Sequence, residues 1–500
     1  MKLEQFPERI QPRLIPRPEG DMRYRCLGCE REDGIDRLLY TCPACGSVLT
    51  LYDRNFDELL AIEGKEWREI FDYRKMLNKQ ALKGIFRYYE FIAPVIPLER
   101  IVYLGEGHTP VVKANARLKD LVGLDFYFKN DGLNPSASFK DRGMACALSF
   151  INDFAKKNKV DKILGICAST GDTSASAALY GSYLENFLSS AVLLPHGKVT
   201  PQQLAQPLGS GAKVLEIPGV FDDCMKVVET LAETYHVALL NSKNSWRILG
   251  QESFSFEIAQ DFDYDVGDKV VVLPIGNAGN ITAVMSGFLK FFKAGVITAL
   301  PKIVGVQSEH ADPVYRYYLE EEEEKRAFVP VTVQPSVAQA AMIGNPVSMP
   351  RVIQTVREYN RTAGEKRVFV VQVTEQEIMD AMILANRNGN VACTQGGETL
   401  AGFGRAVKKG YAKPGEVGVL DSTAHMLKFL TFQDMYFQDS FAPEFRVKPR
   451  EELRNAPLLV KASTLDEFPQ PGKPLEGEAM KRFIDHTVAE IARILELEKR

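Results

Sequence analysis

Lys140 lies in a stretch of sequence whose residue types suit covalent chemistry at a carbonyl group. Residues 134–143 read Asn-Pro-Ser-Ala-Ser-Phe-Lys-Asp-Arg-Gly, so small and polar residues and the ring of Phe139 precede the lysine. A lysine that forms a Schiff base must be desolvated enough to lose its proton, yet remain reachable by an aldehyde. Most lysines are instead solvated surface charges, so this interpretation depends on what else the chain contains.

Two loops downstream are each predicted to lie between a strand and a helix. The first, residues 168–177, is rich in hydroxyl groups, which together with the free amides of a helix N-terminus would suit a carboxylate. Asp172 or Thr173 could in addition cap the next helix. The second, residues 276–280 (Gly-Asn-Ala-Gly-Asn), lets consecutive amides approach a phosphate. It matches neither the dinucleotide-binding fingerprint nor the ATP-binding P-loop.

A further strand is predicted to end in hydroxyl groups, at residues 419–425 (Val-Leu-Asp-Ser-Thr-Ala-His). A neutral hydroxyl beside a pyridine nitrogen leaves that nitrogen largely unprotonated, whereas a carboxylate would hold a proton on it. A Ser/Thr turn at a strand end explains the same residues equally well.

Four of the eight cysteines form two C-x2-C pairs separated by twelve residues: Cys26, Cys29, Cys42 and Cys45. This spacing predicts a tetrahedral zinc site of the ribbon type. Two disulfides or four unlinked thiols are the alternatives, and a reducing compartment disfavours the disulfides. With thiolates at all four positions no coordination site stays open, so the Zn2+ would be structural. Gly28 and Gly46 are expected to supply unusual backbone angles.

The elements that must position these residues alternate between apolar strands and helices. Helices are predicted over 139–158, over 173–189 and from residue 281, and strands at 38–40, 48–52, 126–129, 162–167, 191–194, 212–217 and 269–274. Continuous apolar strands alternating with helices are typical of a parallel sheet covered on both faces, which is an α/β fold.

Composition excludes several classes of function. Hydrophobic residues make up 45% and charged residues 25% of 500 residues, which allows a large buried core. The net charge of -4 gives no electrostatic argument for binding nucleic acid or an anionic membrane. The N-terminus lacks the apolar core of a signal peptide, and no apolar run predicts a membrane span. The sequence therefore predicts a cytoplasmic enzyme with no nucleic-acid or membrane partner.

Together these motifs resemble threonine synthases, which are fold-type-II (tryptophan-synthase β-like) pyridoxal-phosphate enzymes. The resemblance covers residues 100–430 and includes residues 104–110 (Leu-Gly-Glu-Gly-His-Thr-Pro) and 343–346 (Ile-Gly-Asn-Pro). Serine and threonine dehydratases and cysteine synthases share the general plan, but the run Ser-Phe-Lys-Asp-Arg-Gly with Gly-Asn-Ala-Gly-Asn favours threonine synthase. The zinc ribbon is similar to that of some threonine synthases and cysteate synthases.

The resemblance implies two doubly wound α/β domains around pyridoxal 5′-phosphate. Lys140 would hold the cofactor as a Schiff base, Phe139 would lie near its ring, and Thr423 would face the pyridine nitrogen. The cofactor phosphate would be bound by Gly276, Asn277, Ala278, Gly279 and Asn280. The substrate carboxylate would be held by Ser169, Thr170 and Thr173.

Two positions depart from the family pattern. Asp172 replaces an Asn that often contacts the 3′-oxygen of the cofactor, and a carboxylate beside a phenolate repels it unless a proton is shared. Ala424 stands where Gly is common after the terminal Thr, and residues 394–398 (Thr-Gln-Gly-Gly-Glu) are less typical. These departures bear on the identity of the substrate more than on that of the cofactor.

The implied reaction converts O-phosphohomoserine and water to threonine and phosphate, by γ-elimination and β-addition, with the freed Lys140 as general base. Alternatives that keep the cofactor are cysteate synthesis from phosphoserine and sulfite, which residues 141–143 (Asp-Arg-Gly) disfavour, and deamination of serine or threonine. An interpretation from another class is a non-catalytic zinc-ribbon binding protein. Acidic residues offset the arginines beside the cysteines, so the charge pattern for nucleic acid is missing.

The predicted organisation has four parts: a zinc ribbon (20–52), a helical linker (53–98), a catalytic α/β region (99–435) and a C-terminal extension (436–500). A small subdomain within residues 140–250 is expected to move and close over the substrate. The extension should end in an amphipathic helix over residues 476–498. That helix would pack either on its own domain or on a partner subunit of a homo-oligomer.

Overall fold

The structure is a computed structural model that describes residues 1–169, 171–184, 186–196, 201–219, 221–235, 237–461, 465 and 468–499. The chain divides into two compact units, residues 1–450 and residues 451–500. Among the described residues, no helix has both the length and the apolar character needed to span a bilayer.

Strands and helices are labelled in chain order. The strands are β1 (Met22–Cys26), β2 (Glu32–Gly34), β3 (Leu49–Asp53), β4 (Val111–Lys113), β5 (Phe126–Lys129), β6 (Ile163–Ala168), β7 (Leu188–Pro195), β8 (Lys213–Ile217), β9 (Val237–Leu239), β10 (Lys269–Pro274), β11 (Lys302–Ser308), β12 (Val368–Val373) and β13 (Val417–Asp421). The helices are α1 (Gln11–Leu14), α2 (Phe56–Leu59), α3 (Gly64–Met76), α4 (Tyr89–Ile92), α5 (Ala116–Val122), α6 (Lys140–Lys157), α7 (Asp172–Tyr183), α8 (Pro201–Gly209), α9 (Phe221–Thr234), α10 (Ser245–Gln251), α11 (Ser253–Asp261), α12 (Gly279–Lys293), α13 (Pro313–Leu319), α14 (Met349–Ala363), α15 (Glu375–Arg387), α16 (Thr394–Lys408), α17 (Leu430–Gln438) and α18 (Gly477–Ile494).

The N-terminal ribbon, residues 20–53, contains a three-stranded antiparallel sheet in the order β2-β1-β3. Strand β3 matches the strand predicted at 48–52, but the strand predicted at 38–40 is wrong. Leu38 and Leu39 lie outside any strand and pack against the hydrophobic core, so burial rather than strand pairing explains their apolar character.

The larger sheet of the first unit has the order β12-β11-β10-β13-β5-β4, and all of its pairs are parallel except β4 with β5. Every residue of β11 is buried, as expected for a strand inside a sheet that is covered on both faces. The helical linker joins the same core, because the ring of Phe71 in α3 stacks on Phe291 in α12, with centroids 5.5 Å apart.

The smaller sheet is fully parallel, in the order β8-β7-β6-β9. Its strands confirm those predicted at 162–167, 191–194 and 212–217, and the two parallel sheets confirm the predicted α/β class. The sheet lies within the region 140–250 for which movement was predicted, and that movement stays a prediction. The domain limits at residues 52, 98 and 435 also stay predictions.

Helix boundaries agree with the predictions for α6 and differ for two others. Helix α7 ends at Tyr183 instead of residue 189, because β7 already begins at Leu188. Helix α12 begins at Gly279, two positions before the predicted start, so the end of the glycine-rich loop forms the first turn of the helix.

The second unit contains α18, which confirms the helix predicted near the C-terminus. None of the side chains of α18 is buried, and Ile484, Val488 and Leu495 are each about half exposed or more.

Candidate active site

Lys140 is the first residue of α6, and the residues just before it are fixed against the end of β13. The amide of Phe139 donates to the carbonyl of Thr423 at 2.8 Å, and Ser138 forms an antiparallel bridge with Ala424. Residue 132 must be glycine at this contact, because a Cβ on Gly132 would lie 2.5 Å from the amide nitrogen of His425. The fold therefore brings the lysine stretch and Thr423, which are far apart in sequence, into direct contact.

The Lys140 ammonium is disfavoured by its surroundings. Burial, followed by the nearby guanidinium of Arg247, lowers the pKa of Lys140 to about 7, although Asp172 and Asp421 act in the opposite direction. Its Nζ lies 4.2 Å from the centre of the Phe139 ring. A large fraction of the amine is thus neutral near pH 7, which is the form that attacks an aldehyde.

A buried ionic network is centred on Arg142, two residues after this lysine in α6. Arg142 binds both carboxylate oxygens of Asp131, at 2.7 and 2.8 Å, and both oxygens of Glu257, at 2.6 and 2.8 Å. Lys129 lies 3.1 Å from the same Glu257 carboxylate, and all four side chains are fully buried. Although burial alone would raise it, Arg142 and Lys129 hold the pKa of Glu257 well below its usual range.

Asp141 ties the start of α6 to the hydroxyl-rich segment at residues 168–177. Its carboxylate accepts from the amide and the hydroxyl of Ser136, each at 2.6 Å, and from the hydroxyl of Ser176 in α7 at 2.5 Å. Burial raises the pKa of Asp141 in spite of these donors. The Asp141 carboxyl group therefore joins α6 and α7 next to Lys140.

The hydroxyl-rich loop follows β6, as predicted, and Asn241 clamps its first residue through both the amide and the carbonyl of Ala168. Ser169 accepts from the amide of Gly171 at 3.2 Å, and Thr173 is half-buried in the first turn of α7. Gly171 is the N-cap, and among the described residues no side chain caps α7, so the predicted capping by Asp172 or Thr173 is wrong. Thr170 lies outside the described residues.

Asp172 is buried, and the ammonium of Lys428 lies 2.9 Å from its carboxylate. Lys428 also donates to the carbonyl of Ser136 at 3.0 Å. This ion pair offsets the negative charge that was expected to repel a cofactor phenolate. Sequence reasoning missed Lys428, because nothing local distinguishes it from a surface lysine.

The glycine-rich loop at residues 276–280 connects β10 to α12. Ala278 has a positive φ of 62°, and a Cβ on Gly276 or Gly279 would lie 3.0 Å from a neighbouring atom, so the backbone here is closely packed. Asn277 is covered by the segment before α14, because the amide of Ser348 donates to the Asn277 carbonyl at 3.1 Å. The backbone amides of this loop lie at the N-terminus of α12, a position that suits an anion.

Thr423 is buried just beyond β13, and its Oγ1 lies 3.7 Å from the Sγ of Cys393. Asp421, the last residue of β13, accepts from the side-chain amide of Asn280 at 2.9 Å. Burial and the nearby Asp131 raise the pKa of Asp421. The end of β13, two residues before Thr423, is thus bonded to the glycine-rich loop, a link that the sequence did not reveal.

Arg247 in α10 is a second residue that sequence reasoning missed. Its guanidinium is buried and donates to the carbonyl of Leu240 at 2.9 Å, while Nε has no hydrogen-bond partner among the described residues. Burial lowers the pKa of Arg247 to about 10. Its charge lowers the pKa of Lys140, and its unpaired Nε makes it a candidate for binding an anionic group of a substrate.

The four cysteines of the N-terminal ribbon converge, as predicted, and their Sγ atoms all lie within 4.8 Å of one another. Backbone amides at Gly28, Cys29 and Ala44 approach the sulfur atoms at 3.3 to 3.4 Å, which would stabilise thiolates. Gly46 has the expected positive φ of 73°, but Gly28 does not. Gly28 is required because a Cβ would collide with Ser47.

Comparison with known proteins accounts for this arrangement. Residues 102–422 match the model of the family described as pyridoxal-phosphate dependent enzyme. The chain belongs to this family. It is 35% identical to the threonine synthase of Methanocaldococcus jannaschii over 81% of this chain and 93% of that one. It is 33% identical to threonine synthase 2, chloroplastic, of Arabidopsis thaliana, over 86% and 80% of the two chains. The resemblance to threonine synthases is confirmed.

Two solved structures confirm the fold. Threonine synthase from Escherichia coli superposes with a TM-score of 0.61 at 20% identity, over 83% of this chain and 91% of that one. The processed form of threonine deaminase isoform 2 from Solanum lycopersicum gives 0.53 at 19% identity, over 70% and 93%.

The residues present fit the family's cofactor. A lysine whose pKa is lowered, a backbone cradle that a Cβ would fill and a buried hydroxyl at Thr423 match an aldehyde, a phosphate and a pyridine nitrogen. The buried Oγ of Ser138 also lacks a hydrogen-bond partner among the described residues, so this side of the site has donor capacity left over.

Proposed function

We propose that this protein is a threonine synthase that converts O-phosphohomoserine and water to threonine and phosphate. The observation that carries the proposal is the 35% identity over 93% of an archaeal threonine synthase, together with a buried lysine of lowered pKa in its active site. The buried, incompletely paired guanidinium of Arg247 adds a group suited to a phosphorylated substrate.

Lys140 is the residue that would hold pyridoxal 5′-phosphate covalently, with Phe139 beside the ring. The amides at residues 276–280 would bind the cofactor phosphate, Thr423 would donate to the pyridine nitrogen, and Asp172, neutralised by Lys428, would lie near the 3′-oxygen. When bound, the cofactor supplies an electron sink that stabilises negative charge at the α and β carbons of the substrate.

The chain's own groups then bind the substrate and move protons. Ser169, Thr170 and Thr173 would hold the substrate carboxylate, and Arg247 would bind its phosphate. Once the substrate amine replaces it, the amine of Lys140 takes the proton from Cα, for which a pKa of about 7 is well matched. A second proton leaves Cβ, phosphate leaves from Cγ with its charge held by Arg247, and Cγ takes up a proton. Water then adds at Cβ, and the ammonium of Lys140 returns a proton to Cα.

The four cysteines of the N-terminal ribbon would bind a structural Zn2+. Their convergence supports this proposal, since four sulfur ligands complete a tetrahedron and leave no position for a substrate. A cytoplasmic location, the absence of nucleic-acid and membrane partners and a homo-oligomeric state stay predictions.

The test is incubation of the cofactor-loaded protein with O-phosphohomoserine, following phosphate and threonine together. Equimolar release of both is expected. Lys140→Ala is expected to lose turnover by about 10³-fold or more and to retain no cofactor that borohydride can fix covalently. Turnover of phosphoserine with sulfite, or release of ammonia from serine or threonine in place of threonine synthesis, would contradict the proposal and favour the related reactions.

A further inference from the structure

The N-terminal ribbon lies directly on the elements that surround the active site. The carbonyl of Leu49 in β3 accepts from the hydroxyl of Ser245 at 2.8 Å, and the hydroxyl of Tyr24 in β1 accepts from the indole of Trp246 at 2.9 Å. Leu49 is paired in register with Cys26, one of the four sulfur ligands of the ribbon. The position of the Leu49 carbonyl therefore depends on how that cysteine is held.

Arg351 in α14 also donates hydrogen bonds to the Leu49 carbonyl. Its Nε donates to the Leu49 oxygen at 3.0 Å, and Nη2 donates to the same atom. The side chain is buried, and its remaining contacts are the neutral oxygens of Ser242, Lys243, Ser245 and Ser348. These acceptors are all neutral, so displacement of the Leu49 carbonyl would leave two donors of a buried cation without their partner.

The same guanidinium is linked to the glycine-rich loop through Ser348. Nη1 donates to the Ser348 hydroxyl at 3.0 Å, and the amide of Ser348 in turn donates to the carbonyl of Asn277 at 3.1 Å. The Ser348 hydroxyl lies 3.9 Å from the position a Cβ on Gly279 would take. Two hydrogen-bonded residues thus separate a ribbon strand from the loop assigned to the cofactor phosphate.

We propose that a metal ion held by the four cysteines strengthens binding of pyridoxal phosphate through Arg351, a positioning residue that joins the ribbon to residues 276–280. The inference rests on the proposed function, because it takes that loop as the phosphate site. Linkage between two ligands is reciprocal, so the cofactor must strengthen metal binding by the same factor.

The experiment measures the dissociation constant of pyridoxal phosphate for the Zn2+-loaded protein and again after Zn2+ is removed by a chelator. We expect roughly tenfold weaker cofactor binding without Zn2+, since hydrogen bonds of a charged donor are lost. Transfer of Zn2+ to a chromogenic chelator should show a matching tenfold effect of the cofactor on metal affinity. A Zn2+ that acted only through overall folding would be coupled to the cofactor equally in the parent and in Arg351→Met, so that variant separates the two cases.

Arg351→Met is expected to keep its Zn2+ and its circular dichroism but to reduce both effects below about twofold, and Arg351→Lys should lie between it and the parent. Arg357→Met is the matched control, because Arg357 lies on the same helix, is exposed and pairs with Glu323. Equal cofactor affinity with and without Zn2+, or full coupling in Arg351→Met, would overturn the inference.

Chelation could unfold the parent protein. In that case weaker cofactor binding by Zn2+-loaded Arg351→Met than by the Zn2+-loaded parent supports the inference, and unchanged binding overturns it. Failure of all forms to attach the cofactor at Lys140 would instead contradict the proposed function.

Discussion

At the scale of single residues, the chemistry of Lys140 follows from the burial of its amine and from the charged groups around it. The same amine in water would be protonated at neutral pH, and burial together with Arg247 makes the ammonium the less stable form. The two acids that oppose this effect, Asp172 and Asp421, are themselves bonded to Lys428 and Asn280. Their partners therefore keep them from restoring the ordinary pKa of the lysine.

This arrangement predicts how cofactor capture depends on pH. Because the pKa of folded Lys140 is lowered from 10.5 to about 7, its neutral fraction should rise as pH rises through about 7 and be nearly complete by pH 9. The rate at which cofactor-free protein forms a covalent adduct with pyridoxal phosphate, followed by absorbance, checks this. Nα-acetyl-lysine is the control and should gain reactivity only near its own higher pKa. A protein rate that still climbs steeply above pH 9 would contradict the prediction.

Arg247 gives a second prediction at this scale. Arg247→Gln removes the buried charge proposed to hold the substrate phosphate, so kcat/KM for O-phosphohomoserine should fall by roughly 10- to 100-fold, as for loss of charge-assisted hydrogen bonds. The same change removes a cation near Lys140 and should move the pH profile of cofactor capture upward. Steady-state kinetics with Arg357→Met as control separate a specific effect from a general one.

At the scale of elements, helix α6 carries Lys140 on a rigid support. Arg142 is two residues beyond the lysine and lies between the carboxylates of Asp131 and Glu257, with no exposed surface. Breaking a buried ion network by removing one partner is strongly destabilising, because the remaining charges stay uncompensated.

Arg142→Met is therefore expected to lower the free energy of unfolding by about 3–5 kcal/mol, measured by urea denaturation. Arg405→Met is the control: its pair with Glu377 is about one-third exposed on both sides, so the cost should be about 1 kcal/mol or less. Equal losses for the two variants would show that the ion network around Arg142 does not stabilise the fold.

At the scale of the whole molecule, the first unit has its own core and its own active-site residues, whereas α18 buries no side chain. A chain that ends after residue 455 should therefore fold and turn over O-phosphohomoserine within about twofold of the full chain. A chain that ends after residue 429 loses the buried Phe432 and Tyr436 of α17 and should be much less stable. Thermal unfolding and turnover of both truncations check this, and loss of activity in the longer one would assign α18 a role in function.

The sequence was most informative where function depends on neighbours in the chain. The lysine stretch, the two loops at strand ends and the C-x2-C pairs each combine a local turn with a local chemical need, so their residue types and spacing are sufficient. The strand predicted at 38–40 was wrong because apolar residues indicate burial, whereas a β-strand also requires pairing with another strand.

The sequence by itself determined the class of fold, the candidate lysine, the position of the two loops predicted to bind anions and the four converging cysteines. Only the tertiary structure decided which distant charges act at the site. Arg247 lowers the pKa of Lys140, Lys428 neutralises Asp172, and Arg351 links the ribbon to the glycine-rich loop through Ser348. Each of these side chains is an ordinary cation in the sequence. Burial makes a charge costly unless it finds a partner, and the partner is chosen by how strands and helices pack in space.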